Sequence, residues 1–262
     1  MKLPSSFRGY DGREEYKKHL EQTRSNKGDP QKKPDMPPTI TGVNLADQQM
    51  YLILEGRKHG TYEYPDILVS KKRSLQGKNW HELHTELQNA GDLMLTIRQY
   101  VDFLNLLHSG KAFDGAGRLA SKQELDHILD DIVTARFPWQ AEWLDAQFVK
   151  QGKIFNKSLY ISYHRIKNDG TFEKVTEPLE ECLMSDKTPG IDLSDWLARA
   201  TSQGLPPPDT GDGDQYYWHP RDGTVAGFVA SAGRASLSCN WLPRSSNSAL
   251  GVFACAEGAP SR

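Results

Sequence analysis

The chain is expected to fold as an α+β domain in which a mixed or antiparallel sheet is flanked by helices, and three observations predict this. First, three stretches pair a helix start signal with apolar residues at helical spacing. These are Asn79 ahead of Trp80, Leu83, His84 and Leu87, Thr96-x-x-Gln99 ahead of Tyr100, Val101, Leu104 and Leu107, and Ser121-x-x-Glu124 ahead of Leu125, Ile128, Leu129 and Ile132. Second, Leu159 to Ile166 alternates faces, Asn168-Asp169-Gly170 is a turn, and Phe172 with Val175 continues into a partner strand. Third, between Tyr216 and Cys255 the apolar residues Val225, Phe228, Leu237, Trp241, Leu250, Val252 and Phe253 stand among small or polar ones. That spacing suits short strands joined by tight turns and not a helix.

In chain order, residues 1–38 are dense in Lys, Arg, Glu and Pro and end in Lys32-Lys33-Pro34-Asp35-Met36-Pro37-Pro38. Such a segment buries too little apolar area to offset chain entropy and is expected to be a flexible arm. Residues 39–262 are then expected to form a single domain. Strands are predicted over Gln49–Leu54 and near Ile67–Val69, with Gly91 and Gly110 stopping the first two helices. Beyond Pro138, the apolar residues Trp139, Trp143, Leu144 and Phe148 read as core. Asp192 or Ser194 caps a short helix carrying Leu193, Trp196 and Leu197, after which Pro206 to Asp214 reads as a hinge.

A chain of 262 residues with 37% hydrophobic and 25% charged content has ordinary globular composition. Its net charge of -2 offers no global attraction to phosphate backbones, so no nucleic-acid partner is expected. The compact basic run Lys71-Lys72-Arg73 reads as a solvated loop. No apolar run reaches membrane-spanning length, and the start MKLPSSFRGYDGREEYKK lacks the apolar stretch of a secretory signal. A soluble chain is expected, its localisation otherwise open; surface display would need another export route. Cys182, Cys239 and Cys255 are expected to be free, mostly buried thiols, with a Cys239–Cys255 bridge the less favoured alternative.

The residues that invite catalytic or metal readings fall short of the chemistry. His81 and His84 are three positions apart, whereas His-Glu-x-x-His places its imidazoles a full turn apart, and no third ligand is evident in the sequence. Asp126, Asp130 and Asp131 read as a solvated helix face, and Asp209 to Asp214 lacks the spaced ligands of a calcium loop. Nothing matches a Ser-His-Asp order, a phosphate-cradling glycine loop or a pair of catalytic carboxylates. No catalytic residue, metal or cofactor is therefore assigned, and the chain is expected not to be an enzyme.

The C-terminal stretch is unusual in composition. From Thr224 to Ala256 there is no Lys, Glu, Gln or Met, although all four recur through the rest of the chain. A buried β core accounts for Phe228, Leu237 and Val252 but not for Ser231-Ala232-Gly233-Arg234 or Arg244-Ser245-Ser246, which are too polar or small to drive burial. Together with Tyr217-Trp218-His219-Pro220-Arg221-Asp222-Gly223, Asn240-Trp241 and Leu250-Gly251-Val252-Phe253, this stretch resembles the C-terminal region of the variable proteins of diversity-generating retroelements, in particular the archaeal, Nanoarchaeota-type (AvpA-like) group. Val252-Phe253 departs from the closing Phe-Arg of formylglycine-type lectin folds.

The resemblance implies a C-type lectin fold with a variable region at about 225–253 and a role as a diversified ligand-binding protein. In that family adenines, mostly in Asn codons, are randomised, and such codons never yield Lys, Glu, Gln, Met or Trp. Trp218, Phe228, Leu237, Trp241, Leu250 and Phe253 would then be buried framework. The expected variable, ligand-binding positions are Val229, Ser231, Ala232, Gly233, Arg234, Ser236, Ser238, Asn240, Leu242, Arg244, Ser245, Ser246 and Ala249, projecting to solvent as one patch. The expected partner is a protein or cell-surface ligand, with Arg234 and Arg244 as anchors. The competing class is an enzyme on the same fold, of the formylglycine-generating oxidase type. It would need a close cysteine pair, whereas Cys239 and Cys255 are far apart in the sequence.

Overall fold

The helices begin where side chains are available to satisfy the first free backbone N–H groups. The structure, a computed structural model, describes residues 48–153, 156–166 and 172–257; the expected N-terminal arm and the turn Asn168-Asp169-Gly170 lie outside them. Helix α1 (Trp80–Ala90) starts at Asn79, whose side chain accepts from the N–H groups of His81 and Glu82, while Glu82 reaches back to the Asn79 N–H. It stops at Gly91, at φ 80°. Helix α2 (Ile97–Ser109) has the reciprocal Thr96–Gln99 box and ends at Gly110, at φ 66°. Helix α3 (Lys122–Val133) is capped by Ser121, and the short α4 (Leu193–Arg199) by Asp192.

Two sheets carry these helices. The smaller has the order β1 (Tyr51–Leu54), β4 (Ile67–Ser70), β14 (Ala254–Glu257) and β5 (Leu93–Met94), with the hairpin β2 (Arg57–His59) and β3 (Tyr62–Tyr64) set between β1 and β4 in the chain. The larger runs β8 (Phe172–Pro178), β7 (Asn156–Ile166), β6 (Gln140–Lys153), β11 (Thr224–Ala230), β12 (Ala235–Trp241), β10 (Gln215–Trp218) and β9 (Lys187–Ile191), with β13 (Leu250–Gly251) beside β6. Among the described residues, β10 with β12 and β13 with β6 pair in parallel and the other strands of this sheet antiparallel, so the sheet is mixed. The apolar run after Pro138 forms the long strand β6, with Trp143, Leu144 and Phe148 buried. The segment read as a hinge is a loop held on both sides: Asp192 N–H donates to Gly211, Gly213 N–H donates to Gly190, and Arg199 pairs with Asp209.

The C-terminal stretch supplies inner strands to both sheets: β11 and β12 lie between β6 and β10, and β14 lies between β4 and β5. Its closing part is fixed to the segment after β4 by Ser74 N–H to Val252 O (2.9 Å), Val252 N–H to Ser74 O (3.1 Å) and Gly77 N–H to Leu250 O (3.0 Å). Here the basic run departs from its solvated reading, because the Arg73 side chain is only 7% exposed. Its Nε donates to Glu142 at 2.7 Å, its other nitrogens reach Asp131 and Gln140, and its guanidinium lies 5.0 Å over the Phe253 ring. The Tyr100 hydroxyl completes the shell of Glu142. Burial pushes the Glu142 carboxyl above its ordinary range, against the pull of Arg73 and Tyr100. Burial likewise disfavours the Arg73 charge, yet Glu142 outweighs it and holds the guanidinium protonated.

Removing one partner of a buried pair strands the other charge, which costs about 3–5 kcal/mol, whereas replacing both by apolar groups is often near neutral. Arg73→Ala is therefore expected to lower unfolding stability by about that amount in denaturant titrations, and Arg73→Met with Glu142→Leu to recover most of it. A loss below about 1 kcal/mol for Arg73→Ala would show that the pair does not hold the two sheets' shared segment.

Candidate functional site

The expected variable positions follow strand β12 and the turns at its two ends. At one end, the turn between β11 and β12 is closed by Ser231 N–H and Oγ, both donating to Arg234 O. Ala232 and Gly233 are exposed at its tip, and Ser231 and Arg234 are half-buried. A Cβ added at Gly233 meets nothing within 4 Å. Arg234 is folded back, donating to Pro189 O at 2.7 Å and lying 4.7 Å over the Tyr216 ring. Beside this tip, Arg136 N–H donates to Ser231 O, and the adjacent Phe137 is 89% exposed. At the other end, Leu242 is 65% exposed and Arg244, Ser245 and Ser246 are exposed, while Pro243 O accepts from the Trp80 N–H at the start of α1.

Three expectations are corrected. Ser236 and Ser238 do not project to solvent; they are 8% and 2% exposed. Register explains this: Ser236 lies between Tyr216 and Val229, and Ser238 lies beside Trp218, so larger neighbours on the same face cover the short side chains. Val229 packs against the apolar cluster of Trp80, Trp143 and Leu250 and is half-buried. The single patch is also not formed. At about 3.3 Å per residue, the seven residues of β12 set the two exposed groups on the order of 20 Å apart. Asn240 is half-buried, and Ala249 lies elsewhere, on the wall of a cleft.

The framework positions divide as well. Phe228, Leu237, Leu250 and Phe253 are buried, but Trp218 and Trp241 are only half-buried. Trp241 packs edge-on against Trp143 (centroids 5.2 Å) and lies 6.4 Å from Trp139. Glycines in the same stretch show the contrast with Gly233: a Cβ at Gly251 would sit 2.8 Å from Ser74 O, and one at Gly227 3.1 Å from Glu142 O. All three cysteines are buried, and none is joined in a disulfide. Burial raises the Cys182 thiol to about 12 and moves Cys239 upward too, so neither is a ready nucleophile at neutral pH.

Two further features have binding chemistry. A cleft of about 580 Å³ is lined by Lys71, Arg73, Glu124, Asp131, Ser248 and Ala249, among others, with Lys71 paired to Glu124 at 2.9 Å. On the other side of β6, His84 from α1, Asp145 from β6 and His164 from β7 bring one ligand-type atom each to within 4.8 Å of one another. The sequence showed His84 alone, because its neighbours come from strands more than sixty positions away. Burial alone would raise the Asp145 carboxyl, yet hydrogen bonding from His164 and the proximity of both imidazoles hold it below its ordinary range.

Compared with known proteins, the chain matches no family model, no curated protein and no solved structure. Among the described residues, no helix is long and apolar enough to cross a membrane.

The geometry of the site separates positions of like chemistry. Ala232→Tyr and Ser245→Tyr are expected to stay within about 0.5 kcal/mol of the parent in thermal unfolding, as exposed substitutions do. Ser238→Tyr is expected to cost about 1–3 kcal/mol through overpacking. Equal losses at all three positions would contradict the placement.

Proposed function

We propose that the chain is a diversified ligand-binding protein of the diversity-generating retroelement kind, displaying its variable positions on a C-type lectin fold. The α+β architecture, a mixed sheet with flanking helices, is the class to which that fold belongs. The observation that carries the reading is a coincidence between composition and exposure. Ala232, Gly233, Leu242, Arg244, Ser245 and Ser246 are exposed, and each is a residue that an Asn codon altered at its adenines can become. Trp241, which such a codon cannot produce, packs on Trp143.

Two contact regions follow from this, one at the β11–β12 turn and one after β12. Each holds an exposed apolar side chain, Phe137 or Leu242, and an aromatic such as Phe137 is of the type enriched in interface cores. The Arg234 guanidinium is engaged with Tyr216 and Pro189, so Arg244 is the exposed arginine of the set. A protein or cell-surface ligand spanning both regions would cover Trp218 and Tyr216 between them. No step of this role requires catalysis.

The DNA beside the gene gives the direct test. An adenine-rich near-copy of codons 225–253, next to a reverse transcriptase gene, is expected, with mismatches to the coding copy concentrated at codons 232, 233, 242 and 244–246. A genome that carries the gene with neither the near-copy nor the reverse transcriptase would overturn the reading.

A further inference from the structure

We propose that His84, Asp145 and His164 form a binding site for one divalent transition-metal ion, with Zn²⁺ the ion its donor set suits. Two imidazoles and a carboxylate are a donor set that such ions take from proteins, and three protein ligands leave one position of a tetrahedron for water or a ligand. The spacing fits. Bonds of about 2.0–2.1 Å to a tetrahedral ion put neighbouring donor atoms about 3.3 Å apart. Asp145 Oδ1 lies 3.3 Å from His84 Nε2 and 3.1 Å from His164 Nδ1. The other carboxylate oxygen accepts from the His164 backbone N–H at 2.6 Å, which orients Oδ1 toward both rings.

An independent observation also points to a ligand. His84 Nε2 is buried, with its side chain 9% exposed, and has no hydrogen-bond partner despite its closeness to Asp145. A ring nitrogen aimed into a polar site and left unsatisfied is costly unless something else occupies that direction. A metal ion would take its lone pair. The ring is held in place by Trp80, whose ring packs against it at 4.0 Å and whose Nε1–H donates to Leu144 O.

The backbone is also shaped around Asp145. Val225 and Ala226 are consecutive on β11 but pair with Gln147 and Leu144 on β6, so Asp145 and Ala146 form a bulge. Bulges re-aim side chains and recur beside functional sites. Here the bulge lets Asp145 N–H donate to Leu95 O while the carboxylate turns toward α1 and β7. His164 is the more exposed of the two imidazoles, with 14% of its side chain exposed against 9% for His84. The sequence pattern does not single Asp145 out, since β6 carries several other polar residues, Gln140, Glu142 and Gln147 among them.

The test uses the full chain, without an affinity tag, stripped with a chelator and titrated with Zn²⁺ chloride. One equivalent is expected to bind and to raise the melting temperature. Affinity is expected to fall in His84→Ala and in His164→Ala by more than the roughly 10–100-fold that loss of an outer-shell partner costs. No Zn²⁺ uptake by the parent, or uptake unchanged in both folded variants, would overturn the proposal and leave a hydrogen-bonded His–Asp–His network. Should the variants fail to fold, X-ray absorption of the Co²⁺-loaded parent decides: two imidazole ligands support the site, and none excludes it.

Discussion

A buried arginine holds this protein together. Arg73 leaves the end of β4 and turns inward, where one guanidinium joins β6 through Glu142, α3 through Asp131 and the C-terminal stretch through the Phe253 ring. Glu142 in turn binds the Tyr100 hydroxyl of α2. Five parts of the chain thus meet at one charge pair withdrawn from water. Such a pair adds little net stability against an apolar replacement, but a partner left alone is heavily penalised, so the arrangement constrains position more than it adds energy.

That constraint bears directly on the C-terminal stretch. Residues 224–257 are not an appendage laid over a finished domain, since they provide β11 and β12 within one sheet and β14 within the other. A segment in that position has two kinds of residue by necessity. Phe228, Leu237, Leu250, Val252 and Phe253 fill the core and cannot change size without cavities or overpacking. The turn at Ala232–Gly233 and, within the loop after β12, Leu242 and Arg244 to Ser246 leave the sheet and are exposed to solvent. Even among glycines the division is visible: Gly233 faces open space, while Gly251 is pressed against Ser74. Exposed loops on a rigid sheet are where binding residues are commonly placed.

Much of the fold was legible because its signals are local. Asn79, Thr96, Ser121 and Asp192 act on backbone groups two or three residues away, and each caps a helix. The alternation in Leu159–Ile166 likewise reports a strand through its own periodicity. What could not be read depends on which strands become neighbours. Ser236 and Ser238 have the composition of surface residues, and only their pairing with Tyr216 and Trp218 buries them. Arg73 sits in a basic run that looks solvated until Glu142 is placed opposite it. Similarly, Glu142 and Asp145 stand on β6 beside Trp143, Leu144 and Phe148, in a strand that also carries Gln140, Gln147 and Lys150, so nothing in the pattern singled either out.

The account rests on the claim that one stretch is both frame and display surface, with the boundary set by burial. Its most direct measurement is the tolerance of each codon from 224 to 256 to all substitutions, scored by protease resistance of the displayed protein. The account predicts free substitution at 232, 233, 242 and 244–246, and near-complete intolerance to polar residues at 228, 237, 250, 252 and 253. A profile that is uniform along the stretch, or intolerant in both turns, would contradict it.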